Sequence, residues 1–447
     1  MERNIYVITS ALVSLGIFEP MSAALARQVN DNSKPNIVMI VVDDMGYGDF
    51  GCYGNKTHIT PNIDKLAQEG ALLTDFHTNG ALSSPTRAAL LTGRYQQYYG
   101  IEGVVTAAGH RDFGLSTNAP TIAKVLRKGG YQTAIFGKWH LGYEPKFNPI
   151  HHGFDQFVGY LSGNVDYFSH IDQAGYEDWW NDDVKKTEEG YTTEIITNHA
   201  VNYINGHKNK PFFLYVPYEA CHSPMQGPND EPVRKMVNGK MKNIKGKRQD
   251  YPVIYKEMVE SLDKNVGRIM QALSENDLDE NTLVLFFSDN GGSRFSCNDP
   301  WSGGKGSLLE GGHRVSSLVR FPNRIKPGTV SDEIFMTIDV MPTLCEVAGI
   351  SLEGVEHDGF SYLQTLTKNV SMPDRPIFWR MALEICVRKG DWKLTTDRNY
   401  NNPVLINLKS DPKEKNNIAS THQEIVKELL KLIKEWDKNF INIKQYT

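Results

Sequence analysis

The sequence is poor in cysteine, and the cysteines it has lie far apart. The five are Cys52, Cys221, Cys297, Cys345 and Cys386, and none forms a C-x-x-C pair. This density and spacing exclude a small disulfide-stapled scaffold. Because cysteine is readily buried, mostly buried free thiols are expected, with room for one bridge.

The sequence also lacks an excess of basic residues and a long apolar run. Its 48 Lys and Arg against 53 Asp and Glu give a net charge of -5, which argues against nucleic acid as a partner. The apolar run from Ile5 to Phe18 is too short to span a bilayer, so no stable membrane insertion is expected. With 40% hydrophobic and 23% charged residues, the composition is that of a globular protein rather than a disordered one.

The N-terminal segment has the pattern of an export signal. The apolar run has the length of a signal-peptide core, and Ala24-Leu25-Ala26 supplies a cleavage site of the A-x-A type. Residues 1–26 are therefore predicted to be a signal peptide of an exported, periplasmic or secreted protein. An ordered N-terminal helix is the competing interpretation.

Four apolar segments, 36–42, 133–136, 212–216 and 283–287, are each followed by polar residues. Unbroken apolar runs of this length are typical of strands buried on both faces of a sheet. Helical patterns such as Thr121 to Lys128 and Tyr251 to Ser274 lie between them. This alternation predicts an α/β fold with a central mixed or parallel sheet flanked by helices.

A domain boundary is predicted after residues 338–344. The main domain is predicted to cover 35–349, and a subdomain is predicted at 370–447. Four short strands and an amphipathic terminal helix predict a small antiparallel sheet with one helix there. The predicted elements are Ile377 to Trp379, Ile385 to Arg388, Trp392 to Thr395, Val404 to Asn407 and the helix from His422 to Phe440.

Two pairs of oxygen-bearing side chains follow the first and last of the four apolar strands. They are Asp43-Asp44 and Asp289-Asn290. Open α/β sheets place ligands at the carboxyl ends of their strands. Three carboxylates and a carboxamide suit a hard divalent cation such as Ca²⁺ or Mg²⁺. The alternative is that both pairs only cap turns.

The stretch from Ser83 to Arg94 places a small nucleophile, a proline and an arginine at the start of a helix. It resembles the signature [C/S]-x-P-[S/T]-R-x-x-x-x-T-G-R of the type I sulfatases, in the alkaline phosphatase-like superfamily. The resemblance implies that Ser83 is oxidised to Cα-formylglycine and that Arg87 stabilises that group. It also implies that Asp43, Asp44, Asp289 and Asn290, with residue 83, bind calcium.

Three further matches carry the resemblance. Gly137 to Gly142 is similar to the family's G-K-W-H-L-G, which implies that Lys138 contacts the nucleophile or sulfate oxygens and that His140 is the base that regenerates the aldehyde. His222 matches the H-x-P histidine, and Lys305 matches the lysine of G-K-x-x-x-x-E-G-G. One of the last two is expected to protonate the departing alcohol. We favour His222, assisted by Lys305, although the sequence does not decide between them.

Residue 83 departs from many relatives, which have cysteine there. The resemblance implies a bacterial serine-type member that is matured by an anaerobic radical enzyme. The sequence alone does not exclude a serine engineered in place of cysteine.

Loop residues near the strand ends are candidates for binding a sulfated carbohydrate. They are Asp166, His170, Arg294, Asn298 and Trp301, because aromatic, amide and charged groups suit a sugar ring. The loop 164–170 resembles that of sulfatases acting on galactose or N-acetylgalactosamine sulfate, which implies a galacto-configured substrate and exo action. Trp301 stands near where relatives often have arginine, so their exact preference is not transferred.

The predicted function is hydrolysis of carbohydrate O-sulfate esters by a formylglycine hydrate and a bound calcium ion. One alternative is a phosphate or phosphonate ester hydrolase of the same superfamily. Another is a sulfated-glycan binder that does not turn over, if Ser83 is never oxidised.

Overall fold

Strands and helices alternate through most of the chain in the computed structural model, which describes residues 34–109 and 111–446. The strands are β1 (Asn36–Val42), β2 (Ala71–His77), β3 (Gln132–Lys138), β4 (Gln156–Tyr160), β5 (Trp180–Asn181), β6 (Val184–Lys185), β7 (Phe212–Pro217), β8 (Arg234–Val237), β9 (Lys240–Asn243), β10 (Thr282–Ser288), β11 (Arg314–Arg320), β12 (Thr329–Ser331), β13 (Phe335–Met336), β14 (Ile377–Met381), β15 (Glu384–Lys389), β16 (Trp392–Asp397) and β17 (Val404–Asn407). The helices are α1 (Pro61–Glu69), α2 (Ser83–Thr92), α3 (Ile122–Lys128), α4 (Thr192–Gly206), α5 (Tyr251–Glu275), α6 (Glu310–His313), α7 (Val340–Val347), α8 (Leu363–Lys368) and α9 (Gln423–Asp437).

One large mixed sheet has the strand order β12-β2-β11-β10-β1-β7-β3-β4-β5-β6, with β13 also paired to β2. At its centre β1 pairs in parallel with β10 and β7, and β7 pairs in parallel with β3. Alternate residues of β1 pack against α2, α3 and α7 on one face and against α1, α4 and α5 on the other. The predicted α/β class is confirmed, and double burial explains why these strands are apolar without interruption.

The polar residues after the four apolar strands meet at one edge of the sheet. The strands β1, β10, β7 and β3 run parallel, so their carboxyl ends point the same way. In register, Val42 at the end of β1 lies opposite Ser288 at the end of β10. The residues that follow each strand are therefore neighbours in space although they are far apart in sequence.

The C-terminal strands form a separate antiparallel sheet in the order β14-β15-β16-β17. Helix α9 packs on it, and Phe378 stacks on Trp436 with ring centroids 5.0 Å apart. The predicted small sheet with a terminal helix is therefore confirmed. The boundaries 35–349 and 370–447 stay predictions.

Other predictions have different outcomes. The lysine-rich segment 229–250 contains the hairpin β8–β9, which the sequence pattern did not predict. All five cysteines are free thiols, so the bridge that the sequence left open does not form. The predicted signal peptide, 1–26, lies outside the described residues. Within 34–109 and 111–446, no helix combines the length and apolar character needed to cross a membrane.

A buried charge network joins the small sheet to the segment that carries Lys305. Glu310 accepts hydrogen bonds from Lys393 Nζ at 3.0 Å and from Arg388 Nη1 at 3.3 Å. Its backbone N–H donates to Glu414 Oε2 at 2.6 Å, and Glu310 is 0% exposed. Burial by itself raises the pKa of Glu310, but Lys393 and Arg388 outweigh it and hold that pKa well below its usual value.

We expect the substitution Glu310→Gln to destabilise the protein by about 1–3 kcal/mol, because Lys393 and Arg388 lose their shared carboxylate but keep Glu414 and Asp75 as partners. Denaturant unfolding measures this change. The matched control is Glu428→Gln, which removes an exposed carboxylate from Lys389 at 3.0 Å and is expected to leave the free energy of unfolding almost unchanged.

The difference in stability between the wild type and Glu310→Gln depends on pH. Because the folded-state pKa of Glu310 is depressed, its contribution is present above the unfolded value of about 4.3 and is lost as the pH falls. The free energies of unfolding of the wild type and of Glu310→Gln should therefore converge in acid. Equal losses of unfolding free energy for Glu310→Gln and Glu428→Gln at pH 7 would contradict a stabilising role for the buried charge network.

Candidate active site

Two buried strand ends bring three carboxylates together. Asp43 and Asp44 follow β1, and Asp289 and Asn290 follow β10; the backbone N–H of Asp289 donates to the carbonyl of Val42 at 2.9 Å. One oxygen from each of the three carboxylates lies within 4.8 Å of the others. The Asn290 amide N–H donates to Asp44 Oδ1 at 2.9 Å. This hydrogen bond leaves the Asn290 Oδ1 facing the first residue of α2.

That first residue is Ser83. Its Oγ donates to Asp43 Oδ1 at 3.1 Å and lies 3.4 Å from Asn290 Oδ1. The residue is only 2% exposed. Helix α2 begins at this serine because it follows the extended Leu82, and Arg87 lies one turn along it. The helix therefore fixes the spacing between the serine and the arginine.

Each carboxylate of the cluster is paired with one cation. Arg87 binds Asp289 Oδ2 through Nε at 3.0 Å and Nη2 at 2.7 Å. Lys138, at the end of β3, binds Asp43 and lies 3.3 Å from Ser83 Oγ. Lys305 Nζ lies 2.8 Å from Asp44. Three carboxylates and three cations give the cluster a formal charge of zero.

These pairs shift the pKa values of their members. Burial raises the pKa of Asp43 and Asp44, but the neighbouring cations outweigh it, with Lys138 acting on Asp43 and both His222 and Lys305 on Asp44, so both pKa values are lowered. Burial lowers the pKa of Lys305, but Asp44 outweighs it and raises that pKa. Asp43, Asp44 and Lys305 are therefore charged at neutral pH.

Two histidines flank the cluster. His140 Nε2 lies 3.2 Å from the carbonyl oxygen of Val105, and burial together with Lys138 holds its pKa well below 6.5. His222 Nε2 lies 3.7 Å from Asp44 Oδ2, with 12% of the side chain exposed. Lys305 has 24% of its side chain exposed. His222 and Lys305 therefore lie between the buried cluster and solvent.

The donor set fits a hard divalent cation. Within 34–109 and 111–446, two groups of titratable side chains converge closely enough to hold a metal ion. The group of Asp43, Asp44 and Asp289 offers carboxylate oxygens, which Ca²⁺ prefers. Asn290 Oδ1 and residue 83 add oxygens beside them. The chemistry of these residues therefore fits a hard divalent cation.

The second group, His77, Glu310 and His313, is a poor metal site. Arg388 Nη1 lies 2.9 Å from His77 Nε2, and Lys393 Nζ lies 3.2 Å from His313 Nε2. These cations occupy the positions from which the imidazoles would bind a metal. The group belongs to the network that anchors the small sheet.

Two predicted substrate-binding residues are used by the fold. Both oxygens of Asp166 accept backbone N–H groups, from Phe168 and Ser169 on one side and from Val233 and Arg234 on the other, at 2.7–3.0 Å. Asp166 is 0% exposed and His170 is 1% exposed. The ring of His170 stacks on Trp179 at 4.4 Å. Both side chains are buried in this conformation, and their role in sugar binding stays a prediction.

The other three candidates lie in the loop before Lys305. Asn298 Oδ1 accepts the backbone N–H of Gly292 at 2.8 Å and so braces the loop. Trp301 packs under the guanidinium of Arg314, 3.9 Å from its ring centroid. Arg294 is exposed. Of the three, Arg294 has the side chain most open to a ligand.

Sequence reasoning missed Tyr215 and Gly163. Tyr215 Oη accepts a hydrogen bond from Arg87 Nη1 at 3.4 Å, although it lies within the apolar run of β7. A Cβ at Gly163 would lie 2.5 Å from His140 Nε2. The signal for Tyr215 was a polar hydroxyl in an otherwise apolar strand; nothing in the sequence pattern marks Gly163.

Comparison with known proteins agrees with this geometry. The sulfatase family model matches residues 35–350, and a model described as N-sulphoglucosamine sulphohydrolase, C-terminal, matches 304–439. The N-acetylgalactosamine-6-sulfatase of Mus musculus is 33% identical over 390 residues, which are 80% of this chain and 71% of that protein. The N-acetylgalactosamine-6-O-sulfatase of Bacteroides thetaiotaomicron is 28% identical over 96% of this chain and 99% of that protein.

The fold is also similar to solved structures. The crystal structure of Ps i-CgsB in complex with k-i-k-neocarrahexaose has a TM-score of 0.83 at 30% identity, covering 93% of this chain and 95% of that chain. The sulfatase match spans the carboxylate cluster, the helix that begins at Ser83, and the lysines and histidines around it. The chain belongs to the sulfatase family and is a sulfuric ester hydrolase.

Proposed function

We propose that this protein is an exported carbohydrate sulfatase that removes O-sulfate, by exo action, from galactose- or N-acetylgalactosamine-type glycans. The observation that carries the proposal is the position of Ser83 Oγ, 3.1 Å from Asp43 Oδ1 and 3.3 Å from Lys138 Nζ. An attacking oxygen at this position would lie between the carboxylate cluster and the ammonium group of Lys138. The family's metal chemistry and an anionic ester both fit that arrangement.

Charge favours a sulfate ester over a phosphate ester. The side chains of the cluster sum to a formal charge of zero, so a divalent cation adds two positive charges. A deprotonated nucleophile and a sulfate monoester carry one negative charge each and balance them. A phosphate monoester carries close to two negative charges at neutral pH, so the site would hold an excess of negative charge. Aryl sulfate assayed against aryl phosphate tests this argument, and a large phosphate preference would overturn it.

Ser83 is proposed to act after oxidation to Cα-formylglycine, because a serine hydroxyl is a weak nucleophile at neutral pH. The hydrated aldehyde supplies one hydroxyl that attacks sulfur and a second whose proton loss releases sulfate. Calcium, when bound, neutralises the charge on the sulfate oxygens and favours deprotonation of the hydrate. Lys138 and Arg87 hold the carboxylates and the hydrate in place, and His140, neutral at pH 7, is suited to accept the proton.

His222 is proposed as the general acid, with Lys305 assisting. Efficient general acids have pKa values near the working pH. Burial lowers the pKa of His222 from 6.5, opposed by Asp44, whereas the pKa of Lys305 is raised above 10.5. The imidazole is therefore the better proton donor, and Lys305 the better fixed charge for sulfate oxygens.

The substrate class is inferred from the relatives. The names of two of them specify N-acetylgalactosamine 6-sulfate, and the similar crystal structure holds a neocarrahexaose. A galacto-configured sulfated glycan is the ligand class that these three proteins share, although the model that matches 304–439 is described by a sulphoglucosamine. Hydrolysis of a panel of position-defined sulfated galactosides tests the inference, and activity restricted to gluco-configured sugars would overturn it.

Export and maturation complete the proposal. Cleavage after Ala26 would leave Arg27 as the mature N-terminus, which N-terminal sequencing of the exported protein would read. Serine-type maturation requires an anaerobic radical enzyme in the same cell. An intact precursor in the exported fraction would contradict the signal peptide.

The first prediction concerns residue 83. In protein from the native host, the peptide containing Ser83 should be lighter by the two hydrogens lost on oxidation, about 2 Da. Substitution of Ser83 by Ala should abolish sulfate release and leave folding unchanged. Ser274→Ala, at an exposed position of α5, is the control. An unmodified peptide from active enzyme would contradict formylglycine catalysis.

The second prediction concerns calcium. Chelation should remove sulfatase activity, and Ca²⁺ should restore it better than Mg²⁺. Asp44→Asn should weaken Ca²⁺ binding by at least about 10-fold in calorimetric titration, since it removes a charged ligand. Asp391→Asn, at an exposed position, is the control and should bind normally. Full activity in metal-free enzyme would exclude the site.

The third prediction separates the general acid from a structural role. His222→Gln should lower kcat on a sugar sulfate by about 10²-fold or more, because a sugar alkoxide leaves poorly without a proton. The loss on 4-nitrophenyl sulfate should be much smaller, since nitrophenolate leaves unprotonated. Lys305→Gln should lower the activity on both substrates by similar factors. Equal losses on the two substrates for His222→Gln would assign the acid elsewhere.

A further inference from the structure

The segment 232–249, which contains hairpin β8–β9, is strongly basic. It has seven Lys and Arg and no Asp or Glu. The whole chain has a net charge of -5, so without these seven positive charges the rest of it would carry -12. The segment is therefore a positive patch on an otherwise acidic protein.

One face of the hairpin is bound to the loop 164–175. Successive residues of a strand point to opposite faces, and the register of β8 with β9 places Arg234 and Met241 on the same face. Arg234 is buried, and its guanidinium donates to Asn164 Oδ1 at 2.7 Å. A Cβ on Gly175 would lie 2.7 Å from the Cβ of Met241. This face of the hairpin therefore packs on the loop.

The opposite face of the hairpin carries three exposed lysines. Lys235 lies directly opposite Lys242, and Lys240 lies on the same face, opposite Val237. Among the described residues, the ammonium group of the nearby Lys247 pairs with a carboxylate, whereas none of these three does. Like charges directly opposite each other in a sheet repel, so Lys235 and Lys242 weaken the hairpin unless an anion binds between them. The outer face therefore suits an anionic ligand.

The loop under the hairpin also contacts the proposed general acid. Asp166 Oδ2 accepts the backbone N–H of Arg234 at 2.9 Å. The hydroxyl of the next residue, Tyr167, donates to the backbone carbonyl of His222 at 2.9 Å. Two adjacent residues of one loop therefore bind the hairpin and the segment that carries His222, so the hairpin is one loop away from the exposed edge of the active site.

We propose that Lys235, Lys240 and Lys242 form a docking surface for a sulfated polysaccharide and hold the polymer while its sulfate ester is cut at the active site. The inference rests on the proposed carbohydrate sulfatase function and adds a second contact with the same substrate, away from the reacting ring. Sulfate esters stay ionised at neutral pH. One sulfate of the chain can pair with both Lys235 and Lys242, and another can pair with Lys240, two residues along β9 and about 7 Å away.

A flexible anionic chain fits this surface better than an anionic membrane does. The protein outside the segment 232–249 has a large excess of negative charge, and a flat anionic surface would be brought against that charge. A polymer can contact the hairpin alone. Because the three lysines are exposed, the contact should weaken as salt screens it.

The test compares a sulfated galactan with the methyl galactoside that carries the same sulfate, both on matured enzyme at low ionic strength. The variant is Lys235→Gln/Lys240→Gln/Lys242→Gln. It should raise the ratio of the two KM values, galactan over galactoside, at least about fivefold, because the polymer loses its second contact. The galactoside is the reference, since its rate reports folding and maturation. For the wild type, about 0.5 M NaCl should raise the same ratio.

The matched control removes the same charge from the opposite edge of the sheet. Its three exposed lysines precede the amino ends of β3 and β7, and the variant is Lys128→Gln/Lys208→Gln/Lys210→Gln. An equal KM ratio in the two variants overturns the docking surface alone.

Two further outcomes would also count against the docking surface. If the hairpin variant loses binding to phosphatidylserine vesicles while its KM for galactan is unchanged, the surface belongs to a membrane contact and the inference is overturned. Failure of the wild type to release sulfate from either substrate overturns the proposed function and the docking surface with it.

Discussion

The site depends on the pairing of three buried carboxylates with three cations at the carboxyl edge of the central sheet. Burying Asp43, Asp44 and Asp289 without partners would be prohibitively costly. Lys138, Arg87 and Lys305 make that burial tolerable. The same pairing leaves the cluster neutral overall, so it can accept a divalent cation together with two anions.

The strands, the helix and the small sheet near this edge each help to position the paired carboxylates and cations. The parallel strands β1 and β10 bring the carboxylates together in register. Helix α2 sets Ser83 and Arg87 one turn apart, and the small C-terminal sheet reaches across through Arg388 and Lys393 to anchor the segment after Lys305. The C-terminal sheet therefore contributes to the catalytic region although none of its residues lies in the carboxylate cluster.

Much of the fold, and the residue types that gather at the site, could be predicted from the sequence. Strands such as 36–42 are recognisable because burial on both faces demands an unbroken apolar run. The hairpin β8–β9 was missed because its exposed lysines carry no alternation. The burial of Asp166 and His170 could not be predicted for a different reason: a polar residue in a loop has the same sequence pattern whether it faces a ligand or caps the backbone.

By itself, the sequence determined the sheet strands, the helix that begins at Ser83 and the residue types available for catalysis, because these follow from local periodicity and short motifs. Only the tertiary structure decided which polar groups stay free. Backbone N–H groups from two distant segments occupy Asp166. This outcome depends on segments that meet only after folding, so no local pattern can encode it.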